Sequence, residues 1–290
     1  MKGRDFKEDF MKIVFMAASA LSVVAFLFIC YFIFKNGLPF MAKVGFGNFL
    51  FGTKWSPSVN PPSYGILPMI FGSVYITALA CLIGVPIALF SSIYLTWEAS
   101  PKVHKVIKPM IDLMAGIPSI VYGFFALQTI VPIIREIFPS SKGTSILAAG
   151  ILLAIMILPT IISIAEAALR AVPNKYYEAS VALGASHSRT VTKVMFPAAR
   201  SGVLAAVILG IGRAIGETMA VVLVAGNQPR ITTDITKGIR TLTTNVVLEM
   251  GYSSGDHRLA LIATATVLFV FILIINGAFQ FVKTRGTKNG

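Results

Sequence analysis

Residues 178–197 read EASVALGASHSRTVTKVMFP, a polar and basic stretch set between two long apolar runs. Tyr176 to Leu183 is a good short helix former, with Pro173 and Asn174 as start signals, and Gly184 then permits a sharp change of direction. Ser186 or Ser188 is placed to cap a second short helix through Val191, Val194 and Met195. Two short helices joined at a glycine make a compact knob, with Val181, Ala182 and Leu183 offered to a partner's groove. The same composition also fits an interfacial helix lying on lipid head groups.

The runs on either side define the solvent. With 56% hydrophobic and 13% charged residues over 290 positions, the chain has too little polar surface to cover a soluble globule. A membrane-spanning helix needs about 20 largely apolar residues. Segments near 13–34, 68–95, 110–134, 144–165, 202–225 and 259–281 meet that length. Backbone groups inside lipid must be satisfied within the segment, so these runs are expected to be helices. The first run follows Lys2, Arg4, Lys7 and Lys12 and contains Ala18-Ser19-Ala20, but it continues to Phe34, which favours an uncleaved anchor over a secretory signal.

Lys and Arg set the orientation. An inside N-terminus collects four cations on the N-terminal arm, Lys102, Lys105 and Lys108 in the 97–108 loop, five in the 167–200 loop and three on the C-terminal tail. The other side holds nine: Lys35, Lys43, Lys54, Arg135, Lys142, Arg230, Lys237, Arg240 and Arg258. Both termini and the 178–197 loop are therefore expected in the cytoplasm. The net charge of +13 is accounted for by anionic lipid head groups, without nucleic acid.

Several chemistries find no support. Cys30 and Cys81 lie within apolar runs, which argues against a disulfide framework or zinc site, and His104, His187 and His257 read as solvated side chains in three different loops rather than metal ligands. No GxxxxGK[ST] phosphate loop is present, so ATP hydrolysis has to come from another chain.

The fifth run contains GRAIGETMA, residues 212–220. Arg213 and Glu217 stand four apart, on one face of a continuous helix, in the middle third of an apolar segment. Charges at that depth cost from about 3 to more than 10 kcal/mol, so they pair, face a polar cavity or mark a path. One reading is an internal salt bridge holding helices together. The other uses the guanidinium of Arg213 to match a tetrahedral oxyanion, with Glu217 holding Arg213 in the empty path or accepting a hydrogen bond from protonated phosphate. Gly116-Ile117-Pro118-Ser119 is expected to loosen the third helix and free carbonyls there. Ser119, Tyr122 and Thr218 are further path-lining candidates, and Pro159, Thr160 and Ser163 offer polar groups on the fourth run. The outer segment 36–66, with Pro57, Pro61 and Pro62, reads as an irregular docking or gating surface.

Glu178, Ala179, Ser180, Gly184, Val194, Phe196 and Pro197 fall at the spacing of the cytoplasmic loop of binding-protein-dependent ABC importer membrane subunits, which this chain resembles. ALRAVP at 168–173, AGIPSIVYG at 115–123 and GRAIGETMA at 212–220 look like the phosphate-specific ABC transporter permeases, and IGETMAV resembles their C-type subunit more than the A-type. The resemblance covers residue 68 to the C-terminus. It implies a type I ABC importer permease fold, all-α with six transmembrane helices and cytoplasmic termini. Residues 1–67 are then the N-terminal arm, first span and outer loop, and 68–290 the core domain with its coupling loop at 167–200.

The resemblance also implies a non-catalytic subunit without cofactor. A second related permease forms a heterodimer with it, two ATPase subunits bind ATP and Mg, and a periplasmic or surface protein delivers phosphate. Arg213 and Glu217 are the implied substrate path, and Glu178, Ala179, Ser180, Gly184 and Pro197 the implied ATPase-coupling elements, in a bacterial or archaeal plasma membrane. Molybdate, sulfate or phosphonate as cargo, and a proton-coupled secondary carrier, are the competing readings.

Overall fold

The computed structural model describes the backbone of residues 2–288 and the side chains of residues 8–278. The cationic groups of Lys2, Arg4, Lys7, Lys283, Arg285 and Lys288, counted toward the orientation, lie outside the described side chains. Helix α1 (Lys2–Val44) leads to a short α2 (Phe46–Phe51) and a hairpin of β1 (Trp55–Ser56) with β2 (Ser63–Tyr64), antiparallel with Trp55 opposite Tyr64. Next come α3 (Leu67–Ile93), which ends in a π-turn at Tyr94–Glu98, then α4 (Pro101–Gly116), α5 (Ser119–Gln128), α6 (Ile130–Ile137) and α7 (Ile146–Arg170). The loop singled out by sequence forms α8 (Asn174–Ala182), α9 (His187–Thr190), a second π-turn at Val191–Met195 and α10 (Phe196–Ala198). The chain finishes with α11 (Arg200–Gly216), α12 (Met219–Val224), α13 (Leu242–Met250) and α14 (Gly255–Lys288).

Five stretches are long and apolar enough to cross a bilayer: Glu8–Val44, Leu67–Glu98, Ser119–Ile137, Ile146–Arg170 and Gly255–Ala278. His187–Ala198 and Arg200–Gly216 pass the same test only as a pair bent by 72°, which brings the candidate crossings to as many as six. The chain is an all-α, multi-pass integral membrane protein whose only described strands are the two-residue hairpin arms. Helix α7 is the hub. Its Leu152, Leu153, Ile157 and Ile161 are almost fully buried, and α3, α4, α5, α11 and α12 all pack on it. Helices α1 and α14 pair beside this core, joined by a hydrogen bond from Thr266 Oγ1 to the Ile33 carbonyl at 2.9 Å.

Three expectations about the spans change. The first helix does not stop near residue 34. It runs through Pro39 to Val44, because Phe40 and Met41 enter a buried cluster with Phe49, Trp55, Ile66, Met69 and Leu242, and that packing overrides the cost of an internal proline. The third crossing begins at Ser119 rather than 110, since Ile117 is extended before Pro118 and the preceding residues form the separate helix α4. The fifth run is not one helix over 202–225 but α11 and α12, separated at Glu217 and Thr218.

The 36–66 segment is ordered, not irregular, and it is fastened to the end of the molecule opposite α8–α10. The Trp55 indole donates to Glu249 Oε2 at 3.0 Å, His257 Nε2 lies 2.8 Å from the same oxygen, and Arg240 bonds Glu249 Oε1. Glu249 and Trp55 are buried, so the hairpin, α13 and the start of α14 share one ionic hub. Nearby, residues 235–237 fold over the N-terminus of α7. The carbonyls of Lys237 and Ile235 accept from the Ile146 and Leu147 amides at 3.0 and 2.9 Å, and Ser145 Oγ accepts from Ala148.

Burial raises the Glu249 carboxyl, but hydrogen bonds from Trp55, His257 and Arg240 outweigh it and leave the group below its ordinary value of 4.5. A depressed folded value means that its stabilisation is complete above the unfolded value and lost as pH falls through the folded one. Thermal melting of the detergent-solubilised protein is therefore expected to drop as pH is lowered below 4.5. Glu249→Gln, which leaves Arg240 without its buried partner, should cost about 3 kcal/mol at neutral pH and flatten that acid dependence.

Candidate functional site

Two helix breaks frame the site, one within the fifth crossing and one at the start of the third. In α11 the helix ends at Gly216, and Glu217 is extended (φ −67°, ψ 133°). Its carboxylate turns back onto the next helix: Oε1 accepts from the amides of Thr218 at 3.0 Å and Ala220 at 3.2 Å, satisfying donors that start α12. Thr218 Oγ1 donates to the Gly216 carbonyl at 3.2 Å, and Thr243 Oγ1, on α13, donates to the freed Glu217 carbonyl at 3.0 Å. The continuous helix face expected for Arg213 and Glu217 is thus absent, and no ion pair joins them among the described residues.

The second break lies at Ile117–Pro118, between α4 and α5. Tyr122, buried on α5, reaches back over it to donate from its hydroxyl to the Met114 carbonyl at 2.8 Å. Ser119 opens α5 and is half-buried. The third and fifth crossings are in contact because Gly123 on α5 sits against Ala220 on α12. A Cβ at Gly123 would come within 2.8 Å of the Ala220 Cα, so only glycine allows this approach.

Arg213 lies in the last turn of α11, half-buried, and its Nη1 donates to Thr160 Oγ1 on α7 at 3.3 Å. Tyr122 lies on α5, which packs on α12 just beyond the Glu217 break. The structure therefore gathers Arg213, Tyr122, Thr160, Glu217 and Thr218 around one pair of helix breaks. Arg213 has five donors and spends one on a neutral hydroxyl, so the remaining fork can receive an anion.

The loop is a knob, as its sequence indicates. Pro173 precedes α8, Ser186 Oγ accepts from the Arg189 amide at 3.4 Å to cap α9, and Gly184 turns the chain with φ +83°. Glu178, Ala179, Val181 and Ala182 are exposed, Leu183 is 90% exposed and Pro197 is exposed where the chain bends into α11. Ser180 has an internal role, its hydroxyl lying 2.9 Å from Thr190 Oγ1 and tying α8 to α9. Lys175, Tyr176, Ala179, Ser180, Leu183 and Val194 line a groove on this knob.

The histidines are not simple solvated side chains. Each lies against a carboxylate: His104 on Glu166 at 2.7 Å, His187 on Glu98 at 2.7 Å and His257 on Glu249 at 2.8 Å. Glu166, buried in α7, also takes Arg170 at 2.9 Å, while Lys108 bonds Ser163 at 2.8 Å, so α4 is riveted to α7. The partners stand 62, 89 and 8 residues apart in sequence, and for the first two that separation hides the pairing. Among the described residues no group of three metal-ligating side chains is assembled.

The profile of the family described as "Binding-protein-dependent transport system inner membrane component" matches residues 84–287. A probable ABC transporter permease protein, YqgH of Bacillus subtilis, is 38% identical over 273 residues, covering 91% of this chain and 88% of that protein. Phosphate transport system permease proteins PstC from Xylella fastidiosa and, as a probable one, from Methanocaldococcus jannaschii are each 31% identical, covering 92% and 93% of this chain and 88% and 91% of theirs. Among solved structures, a bacterial alginate ABC transporter chain superposes with a TM-score of 0.67 at 16% identity, over 98% of both chains. A chain of the inward-facing MetNI methionine ABC transporter gives 0.61 at 19% identity, over 76% of this chain and 95% of that one. These likenesses identify the fold as that of type I ABC importer permeases. The chain belongs to the binding-protein-dependent transport system inner membrane component family, as a non-catalytic membrane permease subunit of an ABC-type importer.

Proposed function

We propose that this chain is the C-type translocating subunit of an ATP-driven importer of inorganic phosphate. Arg213 carries the reading: a permanently charged guanidinium beside two helix breaks, with one neutral partner. The names of the PstC relatives support phosphate as the cargo. Glu217 supports it too. Its Oε1 is occupied by backbone amides, while Oε2 is left to accept a hydrogen bond from a protonated phosphate, which sulfate lacks at neutral pH. Molybdate, sulfate or phosphonate would meet the same guanidinium, and competition with those anions separates the readings.

In this mechanism a related permease completes the path across from Arg213, and two ATPase subunits, which bind ATP and Mg, hold the exposed knobs at Glu178, Ala179 and Leu183. A phosphate-binding protein delivers cargo on the opposite side, where the hairpin and α13 lie. The excess of Lys and Arg beside the knob supports cytoplasmic termini in a bacterial or archaeal plasma membrane. Closure of the ATPase pair moves the knobs and exposes Arg213 alternately to the two sides.

Arg213→Ala should leave the assembly intact and lower ATP-driven phosphate uptake in proteoliposomes by about 30-fold or more, the effect of removing a charge partner from a desolvated anion. Unchanged uptake would remove Arg213 from the path. Glu217→Gln keeps a carbonyl oxygen for the α12 amides, so it should preserve assembly while lowering the preference for phosphate over sulfate in the same assay.

Gly184 has open space around a would-be Cβ but a positive φ, so Gly184→Ala should cost only about 1 kcal/mol and fold normally. Gly184→Glu adds a charge at the knob's turn. It should abolish copurification of the ATPase from detergent while the two permeases stay together.

A further inference from the structure

The knob is joined through the backbone to α7 and α11, and to α3 by side chains alone. Trp97, in the π-turn that ends α3, stacks on Tyr177 of α8 with ring centroids 5.7 Å apart and planes 9° from parallel. The Tyr177 hydroxyl lies 2.8 Å from His187 Nδ1, and His187 Nε2 lies 2.7 Å from Glu98 Oε1, the residue after Trp97. With a neutral imidazole protonated at Nε2 the set closes on itself: Tyr177 donates to Nδ1, and Nε2–H donates to the carboxylate. Both short helices of the knob are thereby gripped by consecutive residues of one turn.

Beneath this grip lies a small core of its own. Leu169, Val172, Met195, Ala199 and Val203 are buried, with Leu89, Ile93, Trp97 and Tyr177 packed against them. The contact is therefore backed by apolar surface contributed by α3, α7 and the knob together. A π-turn places one extra residue in the helix end, a device concentrated at functional positions, and here it carries both Trp97 and Glu98.

The far end of α3 is equally well tied. Ser73 Oγ accepts from the Leu242 amide at 2.9 Å, and Gly72 is packed on the Arg240 carbonyl. One residue beyond Leu242, Thr243 holds the carbonyl of Glu217 at the break beside Arg213. From knob to break the contacts run through α3, a single helix that continues past its internal Pro86, and the start of α13.

We infer that Trp97, Tyr177, His187 and Glu98 are positioning residues for transport: they clamp the knob to α3, and α3 acts as a rod that conveys knob displacement through Ser73 and Leu242 to the Glu217 break. This rests on the reading that an ATPase holds the knob. Loss of the polar half of the clamp then lowers transport per hydrolysis, because the knob still docks but moves α3 only through the apolar core beneath it.

The test uses the complete transporter in proteoliposomes, with Cys30 and Cys81 replaced, comparing the parent with a variant carrying Glu98→Cys and His187→Cys. ATPase copurification, ATP hydrolysis and phosphate carried per ATP are measured before and after bridging the two thiols with a short bismaleimide. The unbridged variant should retain the ATPase and its hydrolysis while phosphate per ATP falls about tenfold, within the usual range of coupling between sites, and bridging should restore it. Unchanged phosphate per ATP, loss of the ATPase from the variant, or failure of the bridge to restore coupling would each overturn the clamp. Failure of the parent itself to hold an ATPase would instead overturn the functional reading beneath it.

Discussion

A guanidinium cannot be left facing hydrocarbon, and much of the centre of this molecule is shaped by that constraint on Arg213. A charge in the middle of the fifth crossing requires polar neighbours at the same depth. Thr160 supplies one from within α7, and the others come from places where regular helix is interrupted: the extended Glu217 and Thr218, and the Ile117–Pro118 step with Tyr122 above it. Each interruption frees backbone groups that lipid would not satisfy, and each is repaired locally, by the Glu217 carboxylate, the Thr218 and Thr243 hydroxyls, or the Tyr122 hydroxyl. Irregular backbone is tolerated at depth where protein covers it or a polar path runs past it.

The rest of the fold holds this arrangement between two ends of different character. At one end the hairpin, α13 and the start of α14 are locked by a buried carboxylate that takes Trp55, His257 and Arg240 together. At the other, a small knob with an exposed leucine stands on a core shared by α3 and α7. A second ionic group at Glu166 keeps α4 against α7, so the segment leading into the Pro118 break cannot drift from the hub. Helices α3 and α7 run unbroken past Pro86 and Pro159, whereas the backbone beside Arg213 is interrupted.

Local signals are readable from the chain, and long-range partners are not. The knob is legible in Pro173, Gly184 and Ser186, because each acts on its own backbone. The crossings are legible in apolar length, and Arg213 stands out because a charge in such a run has few uses. Glu217 is misplaced by the assumption of an unbroken helix: Gly216 ends α11, and a carboxylate just before Thr218 is well placed to cap α12. The extension of α1 through Pro39 depends on burial of Phe40 and Met41 against residues far along the chain, which no local pattern records. The pairing of His104 and His187 with Glu166 and Glu98 is hidden for the same reason.

If Arg213 marks the path, the breaks beside it border water that reaches them from alternating sides of the membrane during the ATP cycle. Ser119→Cys, in a chain lacking Cys30 and Cys81, places a single thiol at the start of α5. Its rate of modification by a charged, membrane-impermeant reagent can be measured in the assembled transporter, from each side of the membrane, without nucleotide and with ATP trapped. Alternating access predicts ready modification from one side in the first state and from the other side in the second. A thiol equally unreactive from both sides in both states would place these residues in sealed packing and contradict a path past Arg213.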